Sequence, residues 1–368
     1  MNRWFNRSRR FALHVALTVG AVTPTPADVP FGIALIDDAN DRVLRLDANN
    51  AALAGALVPA SPELLASPVD IELGFPLTVD GATYSDVILV SDRRNRRVSA
   101  FKADSGVFLR HLITNVDARG LTFALNGDLL VACGKDGVRA YDPTGQFRAT
   151  RVRSDAVDGP NDASDVLVRP AAGTEPADLL VADVTLDVIW RFDSAGARLG
   201  AFARLPDFRH VQQLVQRGNR NVLAVDPFAD AVFEFDSGGQ LLRTYPHARP
   251  RGAAELRNGH LLIASADGVF EHAADGTVVA QHLPAEPDVA PRHLRALRCR
   301  PGAVRGDTNG DGLVNTFDID SFVLALTDAD AYTRAHPTVE RACVADVNAD
   351  GLVNTLDIDP FVALLSGL

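Results

Sequence analysis

Between residues 31 and 299, short apolar runs alternate with clusters of Asp, Asn and Gly. One phrase recurs: an apolar run often ending in Asp, a turn, a second run, then Asp with Gly or Asn. Its instances are GIALIDDANDRVLRLDANN, VILVSDRRNRRVSAFKADSG, DLLVACGKDGVRAYDPTGQ, DLLVADVTLDVIWRFDSAG, NVLAVDPFADAVFEFDSGG and HLLIASADGVFEHAADG. They are anchored at Asp37, Asp92, Cys133, Asp183, Asp226 and Ser265, with spacings of 55, 41, 50, 43 and 39 residues. The first run of each reads as a continuously apolar strand. The second alternates, as in RVLRLD and AVFEFD, and reads as a strand with unlike faces. A third strand precedes most copies (GLTFAL, SDVLVR, HVQQLVQ, GAAELR), and FRATRV, ARLGAF and LLRTY supply a fourth. No helical pattern of ~10–15 residues alternates with these strands, which argues against a parallel α/β sheet.

Four strands every ~40–50 residues is the period of a β-propeller blade. The first copy lacks a preceding strand, and HLRALRCR at 293–300 lacks following ones. Each fragment completes the other, so residues 293–300 are expected to close the ring against residues 31–60 and remove an open sheet edge. The expectation is an all-β six-bladed propeller over residues 31–300, with an insertion at RPAAGTEPAD in blade 4.

The pattern changes after residue 300. A short Gly- and Pro-containing linker, 301–306, leads into residues 307–368, where one 20-residue phrase occurs twice: DTNGDGLVNTFDIDSFVLAL at 307 and DVNADGLVNTLDIDPFVALL at 346. Ile319, Phe322, Val323 and Leu326 fall at helical spacing, as do Ile358, Phe361, Val362 and Leu365. Two amphipathic helices are predicted, with these stripes packed together. Asn315 and Asn354 can cap them, with Asp318 and Asp357 three residues on.

The segment before each stripe carries oxygen donors at the spacing of a calcium loop. Asp307, Asn309 and Asp311 take positions 1, 3 and 5, Gly312 the sharp turn at 6, the Leu313 carbonyl position 7, Asn315 position 9 and Asp318 position 12. The second loop repeats this with Asp346, Asn348, Asp350, Gly351, Leu352, Asn354 and Asp357. Calcium is a hard cation taking about six to eight oxygens, and two bound ions are expected. Residues 305–368 hold 11 acidic and 3 basic side chains, so metal binding is expected to drive this segment's folding independently of the propeller.

The composition is that of a globular protein, with 47% hydrophobic and 23% charged residues; the net charge of −11 argues against a general role on nucleic acid or anionic membranes. Residues 1–21 read as an export signal: Arg3, Arg7, Arg9 and Arg10 precede the short apolar run Phe11–Val22, with small residues Val19-Gly20-Ala21 for cleavage. The run is short for a membrane span of ~20 residues, and the rival reading is an uncleaved anchor. No other stretch is suited to cross a bilayer, so a secreted or surface-associated protein is expected. Export permits disulfides. Cys299 and Cys343 lie outside the strand pattern and can pair, while Cys133 in LLVAC reads as a buried free thiol.

DARGLTFALNGDLLVACGKDGVRAYDPTGQF, residues 117–148, resembles the NHL repeat family, and the resemblance extends over most of residues 31–299. It implies a propeller of a kind that includes binding scaffolds, lyases and lactonases. Residues 305–368, two loop-plus-helix units with Asp at position 12, resemble type I dockerins. That resemblance implies calcium-dependent docking to a cohesin-like module on a scaffold or cell surface. The repeat offset of 39 is longer than in a compact dockerin, so residues 327–345 are expected to add a helix and a turn at His336-Pro337. Loop positions 10 and 11, where dockerins present small hydroxyl residues, read Thr316-Phe317 and Thr355-Leu356. These four residues are the candidate partner contacts.

In the propeller, Arg119, Arg209 with His210, Arg251, and Arg292 with His293 precede or begin channel-lining strands. Together they suit an anionic small molecule or glycan at the channel. The competing reading pairs each Arg with an Asp of a neighbouring blade. Asp92, Asp183 and Asp226 are expected to hold turn amides. No catalytic residue set stands out. The leading expectation is a binding protein tethered by its tail; the alternative is a lyase or lactonase acting on carbohydrate or ester, delivered by the same tail.

Overall fold

The computed structural model describes residues 32–366, apart from 75–76, 85–86, 104, 156–158, 285–288, 298, 300–302, 338 and 349–351. The export signal, residues 1–21, and loop residues Asp350 and Gly351 lie outside the described residues.

Six four-stranded antiparallel sheets form the blades. Blade 1 has the order Pro291–Leu297, Gly32–Asp37, Arg42–Leu46, Leu53–Val58, so the last propeller strand is its innermost. The closing register runs Gly32↔Leu297, Ile33↔Ala296, Ala34↔Arg295, Leu35↔Leu294, as expected from the two incomplete copies. The innermost strands of blades 2 to 6 are Pro68–Leu73, Leu121–Phe123, Ala163–Arg169, Gln213–Gln216 and Pro250–Glu255.

The second strands explain the continuous apolar runs. Gly32–Asp37, Val87–Asp92, Leu129–Ala132, Asp178–Asp183, Val222–Asp226 and Leu261–Ser265 are buried at every position. Each is covered on both faces by neighbouring blades, so no alternation is required of it. The core is divided into wedges between adjacent blades. Ile33 and Leu35 pack with Leu262 and Ala264 between blades 1 and 6, and Leu89 and Val98 with Leu121 and Val131 between blades 2 and 3. The outermost strands show mostly exposed residues, as in Phe147–Val152.

Two departures from the regular blade account for uneven spacing. Blade 4 carries the expected insertion, with a bridge between Ala172 and Glu175. Blade 2 holds an extra hairpin, Leu77–Val79 with Ala82–Tyr84, between its first and second strands; the 55-residue spacing was its only trace in the sequence.

The tail contains α1 (Ile319–Thr327), α2 (Ala329–Ala335), α3 (Arg341–Val344) and α4 (Ile358–Ser366). The expected insert is present: α2 ends at His336 and α3 precedes the second loop. Asn315 and Asn354 form capping boxes with Asp318 and Asp357, each opening a single 3₁₀ turn before α1 or α4.

Two expectations are corrected here. The apolar stripes do not pack as whole faces: Phe322 and Phe361 are buried, while Ile319, Val323, Ile358 and Val362 are exposed. Nor is the tail a free module behind a loose linker. Cys299 and Cys343 form a disulfide, with Cα atoms 5.4 Å apart. Cys343, Ala342 and Ala303 pack into the core wedge between blades 1 and 2. Lys102 Nζ of blade 2 meets Asp330 of α2 at 2.7 Å. Cys133 is buried and free, and burial pushes its thiol up to about 12.

Candidate functional site

Repeating Asp residues fix the loops around the channel. Asp92 accepts from the amides of Asn95 in its own turn and of Ala66 before the innermost strand of the same blade. Asp183 does so with Thr185, Leu186 and Asn161, and Asp226 with Phe228, Ala229, Arg209 and His210. These acids satisfy backbone donors that the turns leave open.

The innermost strands place Asp70, Gly120, Asp165, Gln213, Gly252 and His293 at one level around the axis. Their bonds run from blade to blade. The Leu121 amide donates to Asp70 Oδ2 at 2.6 Å, the Leu214 amide to Asp165 Oδ2 at 2.7 Å and the Ala253 amide to Gln213 Oε1 at 2.8 Å. His293 Nε2 lies 2.7 Å from Asp70 Oδ1. Gly120 is required because a Cβ there would sit 1.9 Å from Asp165 Oδ1. The four side chains are almost completely buried, so this level is a polar girdle closing the channel. Burial works against the Asp70 carboxylate, but His293 and Arg295 outweigh it and hold its pKa at about 2. Burial, with Asp70 nearby, pushes Asp165 well above its ordinary value.

Two positions further along the same strands, the channel widens into a cavity of about 290 Å³ lined by Glu72, Thr122, Leu167, Val215 and Arg295, with Arg217 and Arg220 at its edge. Arg295 Nη2 pairs with Glu72 and donates to the Leu121 carbonyl at 2.8 Å. Burial raises the Glu72 pKa against that partner. Arg217 is held by Glu234 at 2.7 Å and Glu255 at 2.9 Å. Of the girdle and this mouth, sequence reasoning singled out only His293. The other members, Asp70, Gln213, Asp165, Glu72 and Arg295, sit in strands of unlike spelling.

The basic residues of the opposite end are largely matched already. Arg119 pairs at 2.8 Å with Asp117 and with Asp162 of the next blade. Arg292 pairs with Asp38 at 2.9 Å. Arg209 donates to the Pro206 and Phe208 carbonyls, His210 stands edge-on to Phe228, and the Arg251 carbonyl accepts from Gln212. His293 belongs to the girdle. Only Arg119 reaches an Asp of the next blade; Arg292 pairs with Asp38 of its own blade and Arg209 with carbonyls.

In the first tail loop, the carboxylates of positions 1 and 12 face inward. The amides of Gly310 and Asp311 donate to Asp307 Oδ1 and that of Gly312 to Asp307 Oδ2, at 2.9–3.0 Å. The amides of Asn309 and Asn315 donate to the two oxygens of Asp318, and that of Leu313 to Asp311. Burial raises the Asp307 pKa, with Asp318 adding to it and the loop amides opposing. The second loop repeats the pattern: the amides of Asn348 and Asn354 donate to Asp357 Oδ1 and Oδ2 at 3.0 and 2.9 Å. Gly312 has φ +88° and open space where a Cβ would stand. Among the described residues, no three His, Cys, Asp or Glu side chains converge into a metal-holding group. The loop donor set differs in kind, drawing also on Asn309, Asn315 and the Leu313 carbonyl. Hard oxygen donors spread around a tight turn fit calcium.

Around the loops, exposed apolar side chains occur in pairs related by the repeat: Leu313 with Leu352, Phe317 (78% exposed) with Leu356 (67%), Ile319 with Ile358, and Val323 with Val362. Thr316 and Thr355 open the two 3₁₀ turns beside them.

No family model matches the chain, and no curated protein sequence matches it. Solved structures show the same fold. One from a nidogen/laminin complex aligns with a TM-score of 0.55 at 12% identity, over 72% of this chain and 97% of that one. A Bacteroides caccae protein of unknown function gives 0.50 at 12%, over 74% and 99%. Streptogramin B lyase gives 0.50 at 14%, over 73% and 87%. At these identities the likeness establishes the six-bladed propeller alone. Among the described residues, no helix is long and apolar enough to cross a membrane.

Proposed function

We propose that this chain is an exported, NHL-like propeller binding protein, tethered to a cohesin-like scaffold or surface protein through a calcium-loaded, dockerin-like tail. The observation that carries this reading is the set of exposed apolar pairs around two matched loops. Exposed apolar side chains repeated at matched positions of two loops suit a partner surface. Its repetition at an offset of 39 residues points to selection for one surface presented twice.

Asp307, Asn309, Asp311, the Leu313 carbonyl, Asn315 and Asp318 would hold one ion. Asp346, Asn348, the Leu352 carbonyl, Asn354 and Asp357 would hold the other, with Asp350 completing that set by sequence. Bound calcium supplies positive charge that offsets carboxylate repulsion inside each loop. The inward-facing Asp318 and Asp357 support this. The leader at residues 1–21 would deliver the protein to a compartment where the Cys299–Cys343 bond persists.

Calorimetry on the full chain, stripped with chelator and titrated with calcium, tests this reading. Two ions per chain are expected, and one in Asp307→Ala; a count unaffected by that substitution would overturn the assignment.

A second reading is enzymatic, as a lyase or lactonase on carbohydrate or ester. It is favoured by the mouth cavity, where Glu72 with its raised pKa stands beside Arg295, and by the fold shared with streptogramin B lyase. Glu72→Gln would abolish such an activity without changing calcium stoichiometry.

A further inference from the structure

One turn at the channel end away from the mouth departs from the repeat. In blades 1, 2, 4 and 5 the second strand ends in Asp, and four residues on the backbone is left-handed. Those residues are Asp41 (φ 46°), Arg96 (φ 53°), Asp187 (φ 50°) and Asp230 (φ 51°). After glycine, Asp and Asn enter this region at least cost. Three blades use Asp there, and blade 2 uses Arg. Its turn also carries Arg93 and Arg94, where blades 4 and 5 read Val184-Thr185 and Pro227-Phe228; all three arginines are exposed. A backbone cost borne by one copy of a repeat points to a use. We propose that this turn is a binding site for an acidic polysaccharide built of uronic acids, a ligand that rests on the reading of the propeller as a binding domain.

The turn is held in place before any ligand arrives. Asp92 accepts from the Asn95 amide at 3.0 Å and from Asn95 Nδ2 at 2.7 Å. The Arg93 amide donates to the Ser67 carbonyl at 3.1 Å, and the Val116 amide to the Arg96 carbonyl at 3.0 Å. Arg93, Arg94 and Arg96 border an open trough with Ser67, Asp38 and Asp117. Arg93 lies 3.4 Å from Asp117, which Arg119 also holds, and Asp38 pairs with Arg292. Arg94 is within electrostatic reach of Asp41. Among the described residues, neither Arg94 nor Arg96 makes a side-chain hydrogen bond or ion pair. Guanidinium forks match carboxylates, while Asp38 and Asp117 beside them call for donors. A uronic acid offers both, a carboxylate for the arginines and hydroxyls for the aspartates. A phosphate or sulfate polymer offers acceptors at higher charge density, which the aspartates repel.

The test is calorimetry on the full chain with a glucuronic acid hexamer and with its methyl ester as the neutral control. One hexamer per chain is expected, bound at least about tenfold more tightly than the ester, the worth of one charge-assisted contact. Arg96→Asp restores the residue the other blades use. It should keep or raise the melting temperature, yet weaken hexamer binding at least about tenfold, and Arg94→Gln should weaken it similarly. Absence of saturable binding, equal affinity for the ester, or binding unaffected by Arg96→Asp overturns the proposal. Tighter binding of a glutamate hexapeptide would transfer the site to an acidic protein, and of a heparin hexasaccharide to a denser polyanion; either overturns the uronic acid assignment. Calcium counts on the same samples separate this site from the tail. Two ions without hexamer binding overturn this site alone, and hexamer binding without calcium supports it and overturns the calcium-loaded tail.

Discussion

Phe322 and Phe361 stack ring on ring, with centroids 3.9 Å apart and planes 13° from parallel. They are equivalent residues of the two tail repeats, so the stack marks the pseudo-twofold relation between α1 and α4. Both are buried, with Ala325, Tyr332 and Val344 around them. Phe322→Ala should cost the tail about 3–5 kcal/mol, as large-to-small aromatic core changes do. Differential scanning calorimetry should show the loss in a transition that Glu271→Gln, far away in blade 6, leaves in place.

The disulfide joins residues 44 positions apart. Closing a loop of that size stabilises by about 2–4 kcal/mol. Cys343→Ser should lower the stability of the tail's attachment by that amount and speed proteolysis between residues 300 and 306. Lys102→Ala should add a smaller loss, since Asp330 is largely exposed and such pairs contribute at most ~1 kcal/mol.

Much of the architecture was legible because it is local. Continuous apolar runs such as VILVSD marked strands covered on both faces, and Asn315 with Asp318 marked a helix start. The two incomplete copies disclosed the closure of Gly32–Asp37 on Pro291–Leu297, because an open edge is costly. The girdle was not legible. Which residue of Pro68–Leu73 points at the axis depends on strand register, and Asp70, Gln213 and His293 find one another only once the ring is closed. The helical stripes misled for a related reason. Periodicity separates apolar from polar faces, but it cannot tell the half of a stripe that packs inward at Phe322 from the half that faces out at Val323. The Cys299–Cys343 tie was open to the sequence, but the side-by-side docking was not, because Lys102 and Asp330 lie 228 positions apart.

Gly120 is a sharp test of the girdle. A methyl group there would meet Asp165 Oδ1 at 1.9 Å and the Asp165 Cα at 2.7 Å. The backbone of blade 4 must move to admit it. Gly120→Ala should destabilise the propeller by about 1–3 kcal/mol, the usual cost of overpacking. Gly81→Ala serves as a control for chain-flexibility effects in chemical denaturation, since nothing lies within 4 Å of its added Cβ, though its own φ of +83° adds local strain.

The Asp70 carboxyl has a folded pKa of about 2 against an ordinary 3.8. A depressed carboxylate contributes stability that is fully present above the unfolded pKa. That contribution is lost as pH falls from about 4 towards 2. Its size is about 2 kcal/mol by linkage. Asp70→Asn should therefore be less stable than wild type at pH 7 by about that amount, and the two curves should converge near pH 2. Urea midpoints measured across that window check both the size and the direction.

Phe317 and Leu356 allow docking to be separated from metal binding. Both side chains project from position 11 of their loops, where the backbone amides donate to Asn315 and Asn354. Their side chains supply no oxygen to the loops and no contact to the tail core. Replacing an exposed apolar residue away from caps and cores usually changes stability by within about 0.5 kcal/mol. Phe317→Ser with Leu356→Ser should therefore keep two calcium ions per chain and a wild-type melting temperature. An interface loses most when central apolar anchors are truncated, with hot-spot losses of about 2 kcal/mol or more each. Binding to a panel of immobilised cohesin modules in calcium should fall at least about thirtyfold in the double variant, and the single variants should each retain part of it because the repeat offers the surface twice. A double variant that binds as tightly as wild type would move the docking surface elsewhere on the tail. A double variant that loses calcium as well would show that these residues hold the loops, not the partner.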